Sequence, residues 1–190
     1  MRRLIERFTI VLEWLASEWA KAIARLRFGR SIHIGKRVRL RRGVRIEIFD
    51  GGTIEIRADS RIGPHAILGA RGGKLTIGSS SSINFGCVIV STCAIEIGDH
   101  TLIAEHVTIR DQDHAHYDPD RPFRQQGRVE SPIKIGSNVW LGAKVTVTRG
   151  TSICSNTIVG ANSVITRHID RAGKYAGAPA RLIRKLGTQK

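Results

Sequence analysis

The stretch Ile135-Gly-Ser-Asn-Val-Trp-Leu141-Gly-Ala-Lys-Val-Thr-Val147-Thr-Arg-Gly-Thr-Ser-Ile153-Cys-Ser-Asn-Thr-Ile-Val159-Gly-Ala-Asn-Ser-Val-Ile165 carries an aliphatic residue at every sixth position. A helix places its core residues three and four apart, and an ordinary strand alternates every two. A period of six fits a β-helix whose unit is one short strand followed by a bend. Further out, the spacing recurs in Ile34, Leu40, Ile46; in Ile56, Ile62, Leu68; in Ile77, Ile83, Ile89, Ile95; and in Ile97, Ile103, Ile109. If three units make a turn, Ile135 stacks on Ile153, Leu141 on Val159 and Val147 on Ile165. A single turn cannot bury its own face, so stability comes from stacking. The residue two places earlier is small or β-branched and is expected to point inward: Ser60, Ala66, Ser81, Cys87, Cys93, Thr101, Val139, Val145, Thr157 and Ser163. Glycine after the aliphatic residue, as in Ile77-Gly78 and Leu141-Gly142, eases the bend. A sandwich with accidental regularity does not explain six successive hits in one phase.

Composition agrees with an aliphatic coil. The 190 residues make one domain of ordinary size, and aromatic residues are 5%. No apolar run is long enough to span a membrane. The N-terminal apolar residues are interleaved with charge, so no secretory signal is expected. Three cysteines at these spacings read as free thiols in a reducing compartment, which implies a cytoplasmic location. The formal charge is +15, with clusters at Arg30 to Arg45 and at Arg167 to Lys185. Basic surfaces attract phosphates. Nucleic acid is not expected, because no aromatic stacking motif or recognition module accompanies the charge.

Residues 1–29 depart from the period. Leu4, Ile5, Phe8, Val11, Leu12, Leu15, Trp19, Ile23 and Leu26 fall at helical spacing, with charged residues between them. The pattern predicts a long amphipathic helix ending near Gly29. It either caps the open end of the coil or packs between subunits, or it lies on an anionic membrane surface through residues 2–28. The coil is expected over residues 30–172 and a short tail with a helix over 173–190. The repeat breaks once on a large scale, at 111–132. This polar segment carries His114 and His116 beside Asp111 and Asp113, and a loop ejected from a regular scaffold is a usual seat of chemistry. A shorter break at Ala70 to Lys74 reads as a turn.

Several segments go beyond periodicity. They are Ile97-Gly-Asp-His-Thr-Leu-Ile-Ala104, Val107-Thr-Ile-Arg-Asp-Gln-Asp-His114, Pro132-Ile-Lys-Ile-Gly-Ser-Asn-Val-Trp-Leu-Gly142, Val159-Gly-Ala-Asn-Ser-Val-Ile-Thr166 and Ala176-Gly-Ala-Pro-Ala-Arg-Leu-Ile-Arg184. With these the chain resembles the hexapeptide-repeat acyltransferases, and among them the galactoside, maltose and polysaccharide O-acetyltransferases. The resemblance covers roughly residues 75 to 186. It implies a left-handed β-helix, a homotrimer, and acetyl-CoA bound between neighbouring coils. It also implies His114 as general base, with the backbone amide of Ala143 as oxyanion donor. On the acceptor side it points to Asn84, Trp140 and His116. For acetyl-CoA it points to Ala143, Ala161, Thr166, Arg167, Arg181 and Arg184. No metal is required. The implied reaction is acetyl transfer to a sugar hydroxyl in surface polysaccharide or glycolipid biosynthesis, in the cytoplasm or at the inner face of its membrane.

Other readings compete. A γ-class carbonic anhydrase shares the coil, but His100, His106, His114 and His116 do not match its ligand spacing, and residues six apart sit on different faces. A non-catalytic scaffold would have no need of the His114 and Trp140 motifs. Serine O-acetyltransferase carries a larger helical N-terminal region than this chain has.

Overall fold

The structure is a computed structural model that describes residues 2–186. It is a parallel β-helix of about six turns, preceded by one helix, Arg2–Phe28. Each turn contributes one strand to each of three walls. The first wall stacks Ile34, Ile56, Ile77, Ile97, Ile135 and Ile153. The second stacks Leu40, Ile62, Ile83, Ile103, Leu141 and Val159. The third stacks Ile46, Leu68, Ile89, Ile109, Val147 and Ile165. The three stacked pairs expected from the opening stretch are therefore present.

The turns are not of equal length. First-wall residues are spaced 22, 21 and 20 apart, then 38 across the ejected segment, then 18. The extra residues fall at the edge where the third wall returns to the first. There Asp50 to Gly52 and Gly72-Gly73 form turns, including the one expected at Ala70 to Lys74. The same effect corrects one expectation. Cys93 does not point inward but is exposed. Ile95 and Ile97 both belong to one first-wall strand, Ala94–Ile97, and both are buried. The six-residue step from Ile89 to Ile95 thus crosses a corner and is no repeat unit.

Apart from Ile46, which is half-buried, the aliphatic stacks are almost solvent-free, with Ile56, Ile62, Leu68, Ile77 and Ile89 at 0% exposure. Each such side chain contributes roughly 1.5–3 kcal/mol on burial. The inward small residues have a second task. Ser60, Ser81 and Thr101 each donate a hydroxyl to a carbonyl of the following turn, at Gly78, Gly98 and Gly136, over 2.7, 2.9 and 3.0 Å. The glycines after the aliphatic residue matter through closeness between turns. A Cβ on Gly78 would lie 2.4 Å from the carbonyl carbon of Gly98, and one on Gly142 2.6 Å from the amide of Ala161. The left-handed backbone conformation falls two residues later, on Arg37, Asp59, Ser80, His100, Asn138 and Asn156 at one edge. At the next edge it falls on His65, His106, Lys144 and Asn162. Asparagine and aspartate tolerate that region best among non-glycine residues.

The N-terminal helix occupies the place of a preceding turn. Ser17 accepts from the Leu40 amide at 2.9 Å, and Arg25 donates to the Ile34 carbonyl at 2.8 Å. Both are edge groups of the first turn that no strand pairs. Arg41 adds a bidentate pair with Glu13. The helix therefore caps the coil, but with its small and polar side: Ser17, Lys21 and Ala24 are buried, while Leu12, Leu15, Trp19, Ile23 and Leu26 are exposed. Periodicity reveals that a helix has two faces, not which one packs. The side chains of Leu4, Ile5 and Phe8 lie outside the described residues.

The far end is closed differently. The short C-terminal helix expected in the tail is a β-hairpin, Gly173–Gly177 with Ala180–Lys185, around the cis Ala178-Pro179 bond. Tyr175 pairs beneath Val159, and the hairpin extends the second wall. An edge strand offering free hydrogen-bonding groups captures the tail, which outweighs its helical propensity. Residues 187–190 of the predicted tail lie outside the described residues.

Candidate active site

The ejected segment leaves the coil at the edge between the third and first walls and folds as an antiparallel hairpin, Gln112–His114 with Arg128–Glu130. Its root is Asp111, which is fully buried. The Asp111 carboxylate accepts from the Ser91 hydroxyl (2.8 Å), from both the amide and hydroxyl of Thr92 (2.8 and 2.9 Å), and from the Cys93 amide (3.0 Å). The sequence places Asp111 beside His114, but the structure turns it inward to anchor the segment. Asp113 instead pairs with Arg149 at 2.7 Å. Asp111→Ala leaves two backbone donors unpaired in a buried corner, so we expect a loss of about 2–4 kcal/mol. Urea denaturation measures it, with hydrogen exchange of residues 112–130 reporting the loosened hairpin. An unchanged midpoint would show that Asp111 is not the anchor.

His114 sits on the outer strand of this hairpin, exposed, opposite Arg128. Its imidazole makes no hydrogen bond among the described residues and lines a hollow with Phe123, Arg124, Gly127 and Arg128. His116 donates from Nδ1 to the His114 carbonyl at 3.1 Å and stacks on Tyr117. It thereby orders the chain after His114. Arg124 and Arg128 are the residues the sequence reading passed over. The signal was available in the run Arg121, Arg124, Arg128 within the one polar segment.

The other predicted residues lie elsewhere on the prism. Trp140 is on the second wall, 51% exposed, between Leu102 and Ile158. Asn84, Ala143 and Ala161 stand at the edge between the second and third walls. Asn84 follows the second-wall strand Ser82–Ile83, and Ala143 follows Trp140–Leu141 by one residue. Among the described residues no hydrogen bond is donated by the Ala143 amide, while its carbonyl accepts from Asn162 at 2.8 Å. The same edge carries an aromatic ladder in which Phe85 stands edge-on between His65 and His106. Thr166, Arg167 and Arg181 come together with His168 and Tyr175 in a hollow at the C-terminal end, which Arg184 does not line. His100 and His106 occupy different edges from each other and from His114. Among the described residues no three His, Cys, Asp or Glu side chains converge.

One exposed imidazole, on His114, and one backbone amide without a partner among the described residues, on Ala143, are thus held on separate edges of a repeat prism. Residues 132–167 match the family model described as bacterial transferase hexapeptide (six repeats). The chain carries the hexapeptide repeat of the bacterial transferases. This hexapeptide-repeat chain is 37% identical over 117 residues to the galactoside O-acetyltransferase of Escherichia coli K12, covering 60% of itself and 56% of that protein. It is 35% identical over 120 residues to a putative lipopolysaccharide biosynthesis O-acetyl transferase, WbbJ, of the same organism, covering 60% of itself and 61% of that protein. It therefore spans little more than half the length of these curated relatives. Among solved structures it is similar to a mutant of AntD, an N-acyltransferase from Bacillus cereus in complex with dTDP and coenzyme A. That likeness has a TM-score of 0.69 and 25% identity, covering 81% of this chain and 83% of that one.

Proposed function

We propose that this hexapeptide-repeat chain transfers an acetyl group from acetyl-CoA to a sugar hydroxyl, acting as a homotrimer in the biosynthesis of a surface polysaccharide or glycolipid, in the cytoplasm. The observation that carries the proposal is the division of the site between two edges. His114 stands on the edge between the third and first walls, while Asn84 and Ala143 stand on the edge between the second and third, with Trp140 on the wall beside them. Packing one edge of a coil against the other edge of its neighbour brings the two halves together, and a three-fold axis repeats this three times.

In that arrangement His114 takes the proton of the acceptor hydroxyl as its oxygen attacks the thioester carbonyl. The Ala143 amide donates to the oxyanion of the tetrahedral intermediate. The C–S bond then breaks, and the proton held by His114 passes to the departing CoA sulfur. Asn84, Trp140 and His116 face the acceptor. Ala161, Thr166, Arg167 and Arg181 serve the CoA, with guanidinium groups suited to phosphate oxygens, and Arg184 is an outer contact at most. Arg124 and Arg128 add positive charge beside His114.

The test uses two inactive variants. His114→Ala removes one half of the site and Ala143→Pro the other. Each alone should release little CoA from acetyl-CoA in the presence of a panel of sugars and sugar lipids. Co-expressed and purified through two different tags, mixed trimers should regain about a third of the wild-type sites, since each site draws on two copies and one of the three junctions in any mixed trimer unites the two intact halves. Mixed assemblies no more active than either parent would remove the shared site. Absence of acetyl transfer by the wild-type chain across the panel would remove the activity itself.

A further inference from the structure

We infer that the outward face of the N-terminal helix is a docking surface for an anionic lipid bilayer. At 100° per residue, Val11, Leu12, Leu15, Ala16, Trp19, Ala22, Ile23 and Leu26 fill a continuous arc of about 140° that contains no charged residue. The arc is bordered by Glu18 and Arg25 on one side and by Glu13 and Arg27 on the other. It is also exposed: Trp19 is 70% and Leu26 90% accessible. A helix that merely capped the coil would turn this face inward. Here the polar face caps, through Ser17 and Arg25.

Position decides the occupant. The helix stands where an earlier turn of the coil would stand, so the face opposite its caps looks along the coil axis, away from the prism. Copies packed side by side through walls and edges do not reach that face, whereas a plane perpendicular to the axis covers it. Charge agrees with a lipid plane. Arg30, Lys36, Arg39 and Arg42 are exposed around the same end and form no ion pair among the described residues. An apolar stripe with a tryptophan, flanked by arginines, is the pattern that lies in the interface of an anionic membrane. No helix among the described residues is long and apolar enough to cross a membrane, so the contact is peripheral.

The full chain is sedimented with vesicles of phosphatidylglycerol and phosphatidylcholine, and with phosphatidylcholine alone. We expect retention by the mixed vesicles and at least about tenfold less by the neutral ones. Tryptophan emission should shift to the blue on binding, and Trp19→Phe should abolish the shift while Trp140→Phe keeps it. Leu15→Ser with Leu26→Ser, both at exposed positions, should weaken retention at least about tenfold with an unchanged melting temperature. Equal binding by that double variant, or no binding by the parent, overturns the inference. So does a double variant that sediments as a smaller particle in analytical ultracentrifugation without vesicles, since the face would then be buried against another copy.

Discussion

His114→Ala is expected to lower acetyl transfer by about two to four orders of magnitude, the range of a lost general base. The hairpin that carries His114 is held by the buried Asp111 and by the pairing of residues 112–114 with 128–130, and neither depends on the imidazole. The ring itself makes no hydrogen bond among the described residues. Its removal should therefore leave fold and assembly intact. The residues proposed for CoA, Thr166, Arg167 and Arg181, line a separate hollow, so acetyl-CoA should still raise the melting temperature of the variant. Steady-state rates with saturating acetyl-CoA, together with the thermal shift, check both halves. Near-normal turnover would mean that the proton leaves by another route.

Ala143→Pro is expected to reduce turnover by about a hundred- to a thousandfold, the usual cost of one oxyanion donor. Proline deletes the amide hydrogen and normally disturbs the backbone as well. Here the repeat supplies its own control. Pro64 occupies the equivalent corner position, between Gly63 and the left-handed His65, as Ala143 lies between Gly142 and the left-handed Lys144. The backbone there accepts proline. Because the Ala143 amide has no partner among the described residues, its loss breaks no internal bond. The expected signature is a fall in kcat with little change in KM, and an unchanged melting temperature. A fall in KM-linked binding alone, with kcat preserved, would take the oxyanion role from Ala143.

The walls of the coil were legible because aliphatic residues repeat at one interval and nearly all the stacked wall positions are buried. What obscured the rest was local. The corner at Thr92-Cys93 adds residues without breaking the six-residue count, so Ile95 looked like a unit of its own. The sequence puts Asp111 and Asp113 alike beside His114, because adjacency in sequence carries no orientation. The strand instead turns the Asp111 carboxylate toward the amides of Thr92 and Cys93. The Arg181 to Arg184 tail had helical composition, and only the free edge of the second wall made it a strand. For the site, the period assigns a wall or edge to Asn84, Trp140, Ala143 and Ala161, and the break in it marks where His114 leaves the coil. That Asn84 and Ala143 share one edge and His114 stands on another follows from counting positions along the coil, once three walls are granted. The face that the N-terminal helix presents was not legible, because Ser17 and Arg25 cap open backbone groups whose existence depends on where the coil begins.

A solenoid with two open ends can add copies indefinitely, each end templating the next. This one cannot do so through its ends. At the first turn the helix lies across the end, with Ser17 and Arg25 taking the Leu40 amide and the Ile34 carbonyl, and at the other end the hairpin of Gly173–Gly177 and Ala180–Lys185 covers the second wall. Contact between copies is left to the sides of the prism. A side-to-side contact between unlike edges is heterologous, and it yields a filament unless the rotation closes. Blunted ends remove axial growth as a competitor, so the same contact that would complete the active site also decides between a finite ring and a fibre.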